Sequence, residues 1–491
     1  MPLPRLGRGL RSSKLPALIV LSWVAASTLI CLLSLAAWWA LDRPEWRPGE
    51  AIGPGQAGEI LRMAFAVVAG LGGTALLVIA YKRQSGEEKR LFTERFTTAV
   101  GQLGEANVAV SLGGVHALAH LADDAPTPGL RQMCVDVLCA YLRIPKPETP
   151  SMLTERTEEM LGAYQERTAT YESMREVRTT IAHIVSRRLR AESPWSECRF
   201  DFLNAYFDGD VDFSGIKFAR GGNFSGAEFR GKADFSKSEF SEKIDFKGAK
   251  FYGPTHFEES SHRGDLDLEG TTFHGTASFR GASFEGSASF RSARFLGSSN
   301  FSKSTFSRVA NFSGIRCGKR IEFKGVEFSD KADFTNSAFK RDADMSGCAF
   351  MGETNFMNAS FGRDTYFQNS DFLSNVDLRN MNFMGHTVFD DARFGAKAHF
   401  SGSHFKSSSS FLRSRFTEGH FRTVSFGGRA AFASSRFTGE TSFTGSIFHS
   451  GADFVGDDPP GTEAGGSCPK GLVNERGESA AGVLLPGRWT L

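Results

Sequence analysis

Residues 227–251 read AEFRGKADFSKSEFSEKIDFKGAKF, and this stretch contains the pattern that decides the fold. Phenylalanine occurs at 229, 235, 240, 246 and 251, so the gaps alternate between six and five residues and the true period is eleven. The same spacing runs from Phe202 to Phe454. The 46 Phe, against 7 Tyr and 6 Trp, are the one gross anomaly in composition, and the repeat accounts for them.

The spacing has few exceptions. Apolar residues replace Phe at four positions, which are Leu268, Cys317, Met345 and Leu378. His262 alone puts a polar group at a Phe position, and we interpret it as a local bulge between Glu258 and Gly264. One phase slip occurs, because Phe411, Phe416, Phe421 and Phe426 are each five residues apart.

A small or β-branched residue precedes most of the aromatics by two positions. Examples are Ala205, Val211, Ile216, Ala227, Ala233, Ile244, Ala249, Ala277, Ala282, Ala288 and Ala293. Two residues spaced in this way point to the same side of an extended segment. No helix has a period of five to six residues, so each unit is predicted to be a short β-bridge followed by a turn. The chain therefore forms a coil. A disordered Ser/Gly-rich region is the disfavoured alternative, because disordered segments are poor in aromatic residues.

The units Ala233-Asp234-Phe235-Ser236-Lys237 and Ala332-Asp333-Phe334-Thr335-Asn336 resemble the pentapeptide-repeat family. The resemblance covers about half of the chain. It implies a mainly β protein built on a right-handed, quadrilateral β-helix, with the central Phe and the small residue stacked inside. Every second unit carries one extra residue, which predicts 22 rather than 20 residues per coil. About eleven and a half coils at roughly 4.8 Å each would make a rod about 55 Å long.

The N-terminal residues predict a membrane anchor before the coil. Residues 1–16 form a basic tail, and residues 17–81 contain two apolar runs, Ala17–Leu41 and Ile60–Tyr81, which we predict to be a two-helix transmembrane hairpin. Arg5, Arg8, Arg11, Lys82 and Arg83 flank the outer ends of the runs. By the positive-inside rule both termini are predicted to be cytoplasmic, in a multi-pass protein of the cell membrane. A cleaved signal peptide is the alternative for the first run.

Residues 86–192 are predicted to be a small cytoplasmic α-helical domain. Apolar stripes at 108–121 and 130–141, separated by Asp123-Asp124-Ala125-Pro126-Thr127-Pro128, indicate an antiparallel helix pair. A longer helix is predicted from Met152 to Arg190. Its charged faces indicate that it is lined by solvent, and a break is expected near Tyr171.

The β-helix is assigned to residues 198–456. The first coil of a β-helix has an open edge, and Trp195 and Phe200 are predicted to cap it. Residues 457–491 are rich in Gly, Pro and Glu and are predicted to be a disordered tail, although Val483, Leu484, Leu485 and Trp489 have the character to fold back over the last coil. The seven cysteines show no paired spacing, and Cys317 and Cys348 fall on inward positions.

Aligning the coil in columns of 22 shows where its surface changes. One column is an Asp/Asn ladder, interpreted as acceptors for turn amides; it reads Asp201, Asn223, Asp245, Asp267, Ser289, Asn311, Asp333, Asn355, Asp377, His399, His420 and Ser442. Another column ends in Arg393, Arg415 and Arg436. These three arginines with His399 and His420 are the predicted partner-binding residues, because the regular pattern breaks there. Drift near the free end of the coil is the alternative interpretation.

No nucleophile elbow, phosphate loop, dinucleotide fingerprint or zinc spacing occurs in the sequence, so no catalytic residue, cofactor or metal is predicted. His116 and His120 are one helical turn apart but have no general base between them. We predict a non-enzymatic, membrane-tethered scaffold or protein-interaction module. A protein partner is expected, nucleic acid is not, and a homo-oligomer is compatible with the sequence. The alternative, a gyrase-protecting DNA mimic, requires an acidic face, whereas the chain has a formal charge of +2. An enzyme is disfavoured because a filled coil has no interior cleft.

Overall fold

The computed structural model describes residues 54–145, 158–190 and 193–455, together with 24, 27, 28, 31, 32, 39, 465–466, 468–473, 479 and 482–486. The chain divides into two compact units, Met1–Leu91 and Phe92–Leu491. The second unit contains both the helical domain and the coil.

Helix α1, Pro54–Leu103, includes the second apolar run and continues through Gly86 without a break. Across the described part of the chain, no helix combines the length and the apolar character needed to cross a membrane. The predicted transmembrane hairpin is therefore unsupported by the structure. The first apolar run, Ala17–Leu41, and the loop after it lie largely outside the described residues.

Three further helices build the helical domain: α2, Val108–Asp123; α3, Pro128–Leu142; and α4, Glu158–Arg190. The side chain of Asn107 caps α2 by accepting a hydrogen bond from the amide of Ala109, and Thr127 caps α3 by accepting one from Leu130. Packing of α2 against α3 confirms the predicted helix pair.

Helix α4 differs from its prediction in two respects. It runs through Tyr171 without a break. One of its faces, which carries Val177, Ile181, Val185 and Leu189, is buried against the rest of the domain, so the helix is not lined by solvent on all sides. The apolar spacing of four residues was the available signal, and the dense charges between these residues obscured it.

The coil has four flat faces, numbered 1 to 4 in chain order. Face 1 contains Phe200–Asp201, Gly222–Asn223, Ile244–Asp245, Leu266–Asp267, Ala288–Ser289, Ala310–Asn311, Ala332–Asp333, Thr354–Asn355, Val376–Asp377 and Thr441–Ser442. Face 2 contains Tyr206–Phe207, Glu228–Phe229, Lys250–Phe251, Thr272–Phe273, Arg294–Phe295, Arg316–Cys317, Ala338–Phe339, Ser360–Phe361, Asn382–Phe383, His404–Phe405, Ser425–Phe426 and Ile447–Phe448.

Face 3 contains Val211–Asp212, Ala233–Asp234, Thr255–His256, Ala277–Ser278, Ser299–Asn300, Ile321–Glu322, Ala343–Asp344, Thr365–Tyr366, Thr387–Val388, Ser409–Ser410, Ala430–Ala431, Ala452–Asp453 and Val483–Leu484. Face 4 contains Lys217–Phe218, Glu239–Phe240, Ser261–His262, Ser283–Phe284, Thr305–Phe306, Glu327–Phe328, Ala349–Phe350, Asp371–Phe372, Arg436–Phe437 and Gly465–Gly466. Two longer strands, Arg393–His399 and Arg415–His420, run around the corner from face 4 to face 1.

All strand pairs in these ladders are parallel, and face 2 alone stacks 12 strands. Phe251 pairs with Phe229 on one side and Phe273 on the other, which confirms the predicted repeat of 22 residues. The predicted phase slip is also confirmed. The ladder between the two longer strands changes register after Phe394, because the corner from Phe416 to Gly419 is one residue shorter than the corner before it.

The core is a set of phenylalanine stacks along the coil axis. Phe290, Phe312, Phe334 and Phe356 lie one per coil with ring centroids 4.7, 4.9 and 4.6 Å apart, as predicted. Cys317 and Cys348 are buried in the interior as expected.

The bulge predicted at His262 is wrong. His262 keeps the regular register and stacks between Phe240 and Phe284, with ring centroids 4.6 and 5.0 Å away. Its Nε2 lies 3.0 Å from the hydroxyl of Ser260, and burial lowers the pKa of the imidazole to about 3. The ring is therefore a neutral substitute for Phe.

The two ends of the coil are covered by the chain itself. At the N-terminal end, Trp195 and Phe200 are buried as predicted, and the helical domain packs over them. At the C-terminal end, Val483–Leu484 pairs with Ala452–Asp453 and extends face 3. This part of the tail folds back onto the last coil, and Trp489 lies outside the described residues.

Candidate interaction surface

The three predicted arginines form a stack on face 4. Arg393 pairs in register with Arg415, and Arg415 with Arg436. All three side chains are exposed. Arg393 has a weak contact with Asp371, with Nε 3.9 Å from Oδ1. Among the described residues, Arg415 and Arg436 form no ion pair, so their guanidinium groups are available to an external anion.

The two predicted histidines stack on face 1, where His399 lies above His420 with ring centroids 4.6 Å apart and planes inclined by 15°. Burial lowers the pKa of His399, and the neighbouring His420 acts in the same direction. Stacked imidazoles at this separation disfavour a second positive charge.

Glu418 lies at the shortened corner between the two stacks. Its Oε1 is 2.9 Å from Nζ of Lys397 and 2.7 Å from Nε2 of His420. Hydrogen bonds from Lys397 and then His420 lower the pKa of Glu418, so it stays ionised. The structure thus brings both predicted columns onto one surface. We call it the C-terminal corner: Arg393, Lys397, His399, Arg415, Glu418, His420 and Arg436.

The Asp/Asn ladder behaves as predicted. Asp245, for example, accepts a hydrogen bond from the backbone amide of Lys247 at 2.8 Å, and Asp333 accepts one from Thr335 at 2.9 Å. At the C-terminal corner the ladder positions hold imidazoles. Here the side chain of His420 contacts Glu418, two residues earlier, instead of accepting a hydrogen bond from an amide of the following turn. The break in the sequence column is therefore also a change in bonding.

A groove of about 330 Å³ lies between α4 and the first strand of face 3, and sequence reasoning missed it. Two of its charged groups, Arg190 and Asp212, form an ion pair with each other. Partial burial acts in the opposite direction, but hydrogen bonds from Ser214 and Arg190 hold the pKa of Asp212 at about 2. A carboxylate with so low a pKa is a poor general base near neutral pH. In the part of the chain that the structure describes, no group of three His, Cys, Asp or Glu side chains is arranged to hold a metal.

Sequence reasoning also missed the charge of face 2. Exposed cations on this face and its two corners cluster within four successive coils; besides Arg320, which pairs with Glu322 and Asp344, they are Arg291, Arg294, Arg316, Lys319, Lys340, Arg341 and Arg363. None of the seven forms an ion pair with a described residue. Arg294 and Arg316 are direct partners in the ladder. Most of these cations recur in columns of 22 residues, so their clustering on one face was predictable from the sequence.

The fold and this surface define a repeat solenoid with a filled interior and a varied exterior. Comparison with protein families finds matches to pentapeptide repeats (9 copies) over residues 246–282, 268–316, 323–371 and 346–393. Residues 246–316 and 323–393 of the coil are thus similar to pentapeptide repeats, and most of these repeats are centred on phenylalanine. Neither a curated protein nor a solved structure matches the chain.

Proposed function

We propose that this protein is a non-enzymatic interaction module whose C-terminal corner binds an acidic segment of a partner protein. One observation carries the proposal: the surface of a regular coil departs from its repeat at the place where two unpaired, stacked guanidinium groups are exposed. Coils of one rod share their core, so specific recognition depends on outward residues.

The charges of the corner favour an anionic ligand. Arg415 and Arg436 present planar, fixed donors to solvent, and guanidinium groups bind carboxylates in bidentate geometry. Glu418 is engaged by Lys397 and His420, so it does not neutralise the arginines. The shortened corner beside them resembles a bulge that re-aims a surface.

The filled core supports a binding role over an enzymatic one. Buried phenylalanines occupy the interior along the whole coil, so a substrate cleft between the faces has no room. The alternative of a DNA mimic needs a continuous acidic face. The seven unpaired cations of face 2 and the arginine stack of face 4 interrupt any continuous acidic surface on these two sides of the coil.

The experiment exchanges Arg393, Arg415 and Arg436 for Ser in the full chain and measures co-purification of the partner. A matched control exchanges three exposed arginines outside the corner, Arg263, Arg280 and Arg308. We expect the first variant to lose the partner and the control to keep it, with equal thermal melts for both. Equal capture by the two variants would contradict the proposal.

Attachment to a membrane through residues 17–41 and 60–81 stays a prediction from the sequence. Its orientation is tested by a single Cys introduced at Gly53, in a background in which all seven native cysteines are replaced. Labelling of intact cells with an impermeant reagent is expected to succeed, because the loop is predicted to face outward. Protection at this position, with labelling after permeabilisation, would show the opposite orientation.

A further inference from the structure

We propose that face 2 of the coil lies against an anionic lipid bilayer. The protein as a whole has a formal charge of only +2, yet seven unpaired cations gather on this face and its corners. The carboxylates among them in the same coils are Asp342 and Asp364, both on the corner toward face 3. A cluster of this size on a nearly neutral protein is a directed electrostatic surface.

The opposite side of the coil carries the opposite charge in the same coils. Face 4 and its corner toward face 1 expose Glu285, Glu327, Asp330 and Glu353, none of which forms an ion pair with a described residue. Arg308 and Lys331 offset these carboxylates in part. A rod with cations on face 2 and carboxylates on face 4 has a transverse charge asymmetry, so a negative surface attracts one face and orients the rod.

The combination of cations with exposed apolar side chains beside face 2 favours a bilayer over a nucleic acid. Leu296, 46% exposed, lies among the cations on the corner between faces 2 and 3, and Met384, 47% exposed, lies on the same corner one coil beyond the cluster. The corner between faces 4 and 1 also exposes Met351 and Leu373, but it lacks the cation cluster. Apolar groups among cations are typical of surfaces that enter the headgroup region of a membrane, where each Lys or Arg adds electrostatic attraction. A duplex presents grooves to an inserted helix or ribbon, whereas face 2 is a flat ladder.

The regular ladder makes the cationic surface extended and flat. Strands of face 2 are stacked at about 4.8 Å, so the cations of these coils cover about 15 Å of the rod. The strands are held on both sides by their neighbours, as Arg294–Phe295 is by Thr272–Phe273 and Arg316–Cys317. This surface is therefore preorganised, and contact with lipid needs no refolding.

The geometry is compatible with the partner site on the C-terminal corner. Faces 2 and 4 are not adjacent, so a bilayer against face 2 leaves Arg393, Arg415 and Arg436 accessible from the other side. The proposal does not depend on that site, nor on a transmembrane segment.

The test is a lysine footprint on the full chain with lipid vesicles. Acetylation rates are measured by mass spectrometry at Lys319 and Lys340 of the cationic cluster, and at the exposed control residues Lys303, Lys324 and Lys331 of the other faces and corners. Total binding to vesicles would not test the proposal, because the N-terminal apolar runs are predicted to insert into vesicles of either composition. Protection of individual lysines reports on face 2 alone. The vesicles are phosphatidylcholine alone or phosphatidylcholine with about one third phosphatidylserine, and a duplex oligonucleotide forms a separate arm.

With anionic vesicles we expect acetylation of the face 2 lysines to slow about fivefold, while the rates at the control lysines stay unchanged. This protection should vanish near 1 M salt, where the screening length is about 3 Å. Neutral vesicles are expected to give no such difference. A variant with Arg294→Glu, Arg316→Glu and Arg341→Glu should lose the protection, and one with Arg263→Glu, Arg280→Glu and Arg308→Glu should keep it. Equal rates on all faces, or protection by the duplex without protection by vesicles, would overturn the proposal.

Discussion

The side-chain amide of Gln132 pairs with the backbone of Arg199 as a neighbouring strand would. Its Nε2 donates to the carbonyl of Arg199 at 2.8 Å, and its Oε1 accepts from the amide of the same residue at 2.8 Å. Gln132 lies on α3, so the helical domain completes the open edge of the first coil. An uncovered edge of this kind is a site of aggregation.

The hydrogen-bond directions of the coil explain what this cap must supply. On faces 1 and 3 the amides donate to the following coil, as Phe224 does to Asp245; on faces 2 and 4 they donate to the preceding one, as Arg230 does to Phe207. The first coil therefore offers free carbonyls on faces 1 and 3 and free amides on faces 2 and 4. Besides Gln132 on face 1, Arg190 donates to the carbonyl of Asp212 on face 3, and the carbonyl of Ser196 accepts from Ala219 on face 4.

The first prediction concerns this cap. Gln132→Ala removes the two hydrogen bonds to Arg199 at a partly solvated edge and a third to Asp136 within α3, and we expect the free energy of unfolding to fall by about 1–2 kcal/mol. Hydrogen exchange at the amide of Arg199 should accelerate as well. Gln165→Ala, at an exposed position of α4, is the control and should change neither quantity. Unchanged exchange at Arg199 would show that the amide pairing does not protect the edge.

The second prediction concerns the central stack. Phe312 is fully buried between Phe290 and Phe334. Phe312→Ala is expected to cost about 3–5 kcal/mol, because rings held by their own coils cannot collapse into the gap. The exposed Arg308, four residues earlier, should tolerate Ala within about 0.5 kcal/mol. Chemical denaturation measures both, and equal losses would mean that the assignment of inward and outward positions is wrong.

The third prediction concerns the corner glycines. A Cβ at Gly275 would lie 2.5 Å from the carbonyl oxygen of Gly253 in the preceding coil, whereas at Gly318 the nearest atom is 3.4 Å away. We expect Gly275→Ala to destabilise the coil by about 1–3 kcal/mol, since two backbones must separate. Gly318→Ala should be near neutral. The measurement is the melting temperature of each variant. An equally small decrease for both would show that the two coils can separate at Gly275 at little cost.

How far the sequence determines these features depends on the range of the contacts. The stack of Phe312 and the acceptor role of Asp245 follow from the period alone, because every coil repeats the same local geometry. The cap does not, since Gln132 and Arg199 are 67 residues apart and meet only through the packing of α3 on the first coil. The bulge was predicted at His262 because a buried polar group is costly without a partner, and Ser260, two residues earlier, supplies a partner for Nε2 while Nδ1 stays buried without one.

The C-terminal corner could be predicted only in part from the sequence. The columns of 22 correctly placed Arg393 with Arg415 and His399 with His420. They did not reveal that Glu418 joins the two columns, because its position depends on the shortened corner. The cations of face 2 fall in the same columns of 22, so their clustering follows once each column is assigned to one of the four faces.

The last prediction is a pH dependence at the histidine stack. Burial, followed by the charge of His420, lowers the pKa of His399 from its ordinary value of 6.5; Arg379 and Lys397 act in the same direction, and Asp377 opposes them. A histidine with a depressed folded-state pKa contributes stability that is present above the unfolded-state value and is lost as the pH falls through it. The coil should therefore lose stability between about pH 7 and pH 5.

His399→Asn tests this dependence directly. Asn restores the residue type that the ladder holds at positions such as Asn355, where Oδ1 accepts the amide of Met357 at 2.9 Å. We expect this variant to melt higher than the parent protein at pH 5 and to show a smaller change in melting temperature between pH 7 and pH 5. His386→Asn, at an exposed histidine on the corner between faces 2 and 3, is the matched control and should keep the parent dependence. If His399→Asn and the parent show the same dependence on pH, the titration of His399 does not limit the stability of the coil.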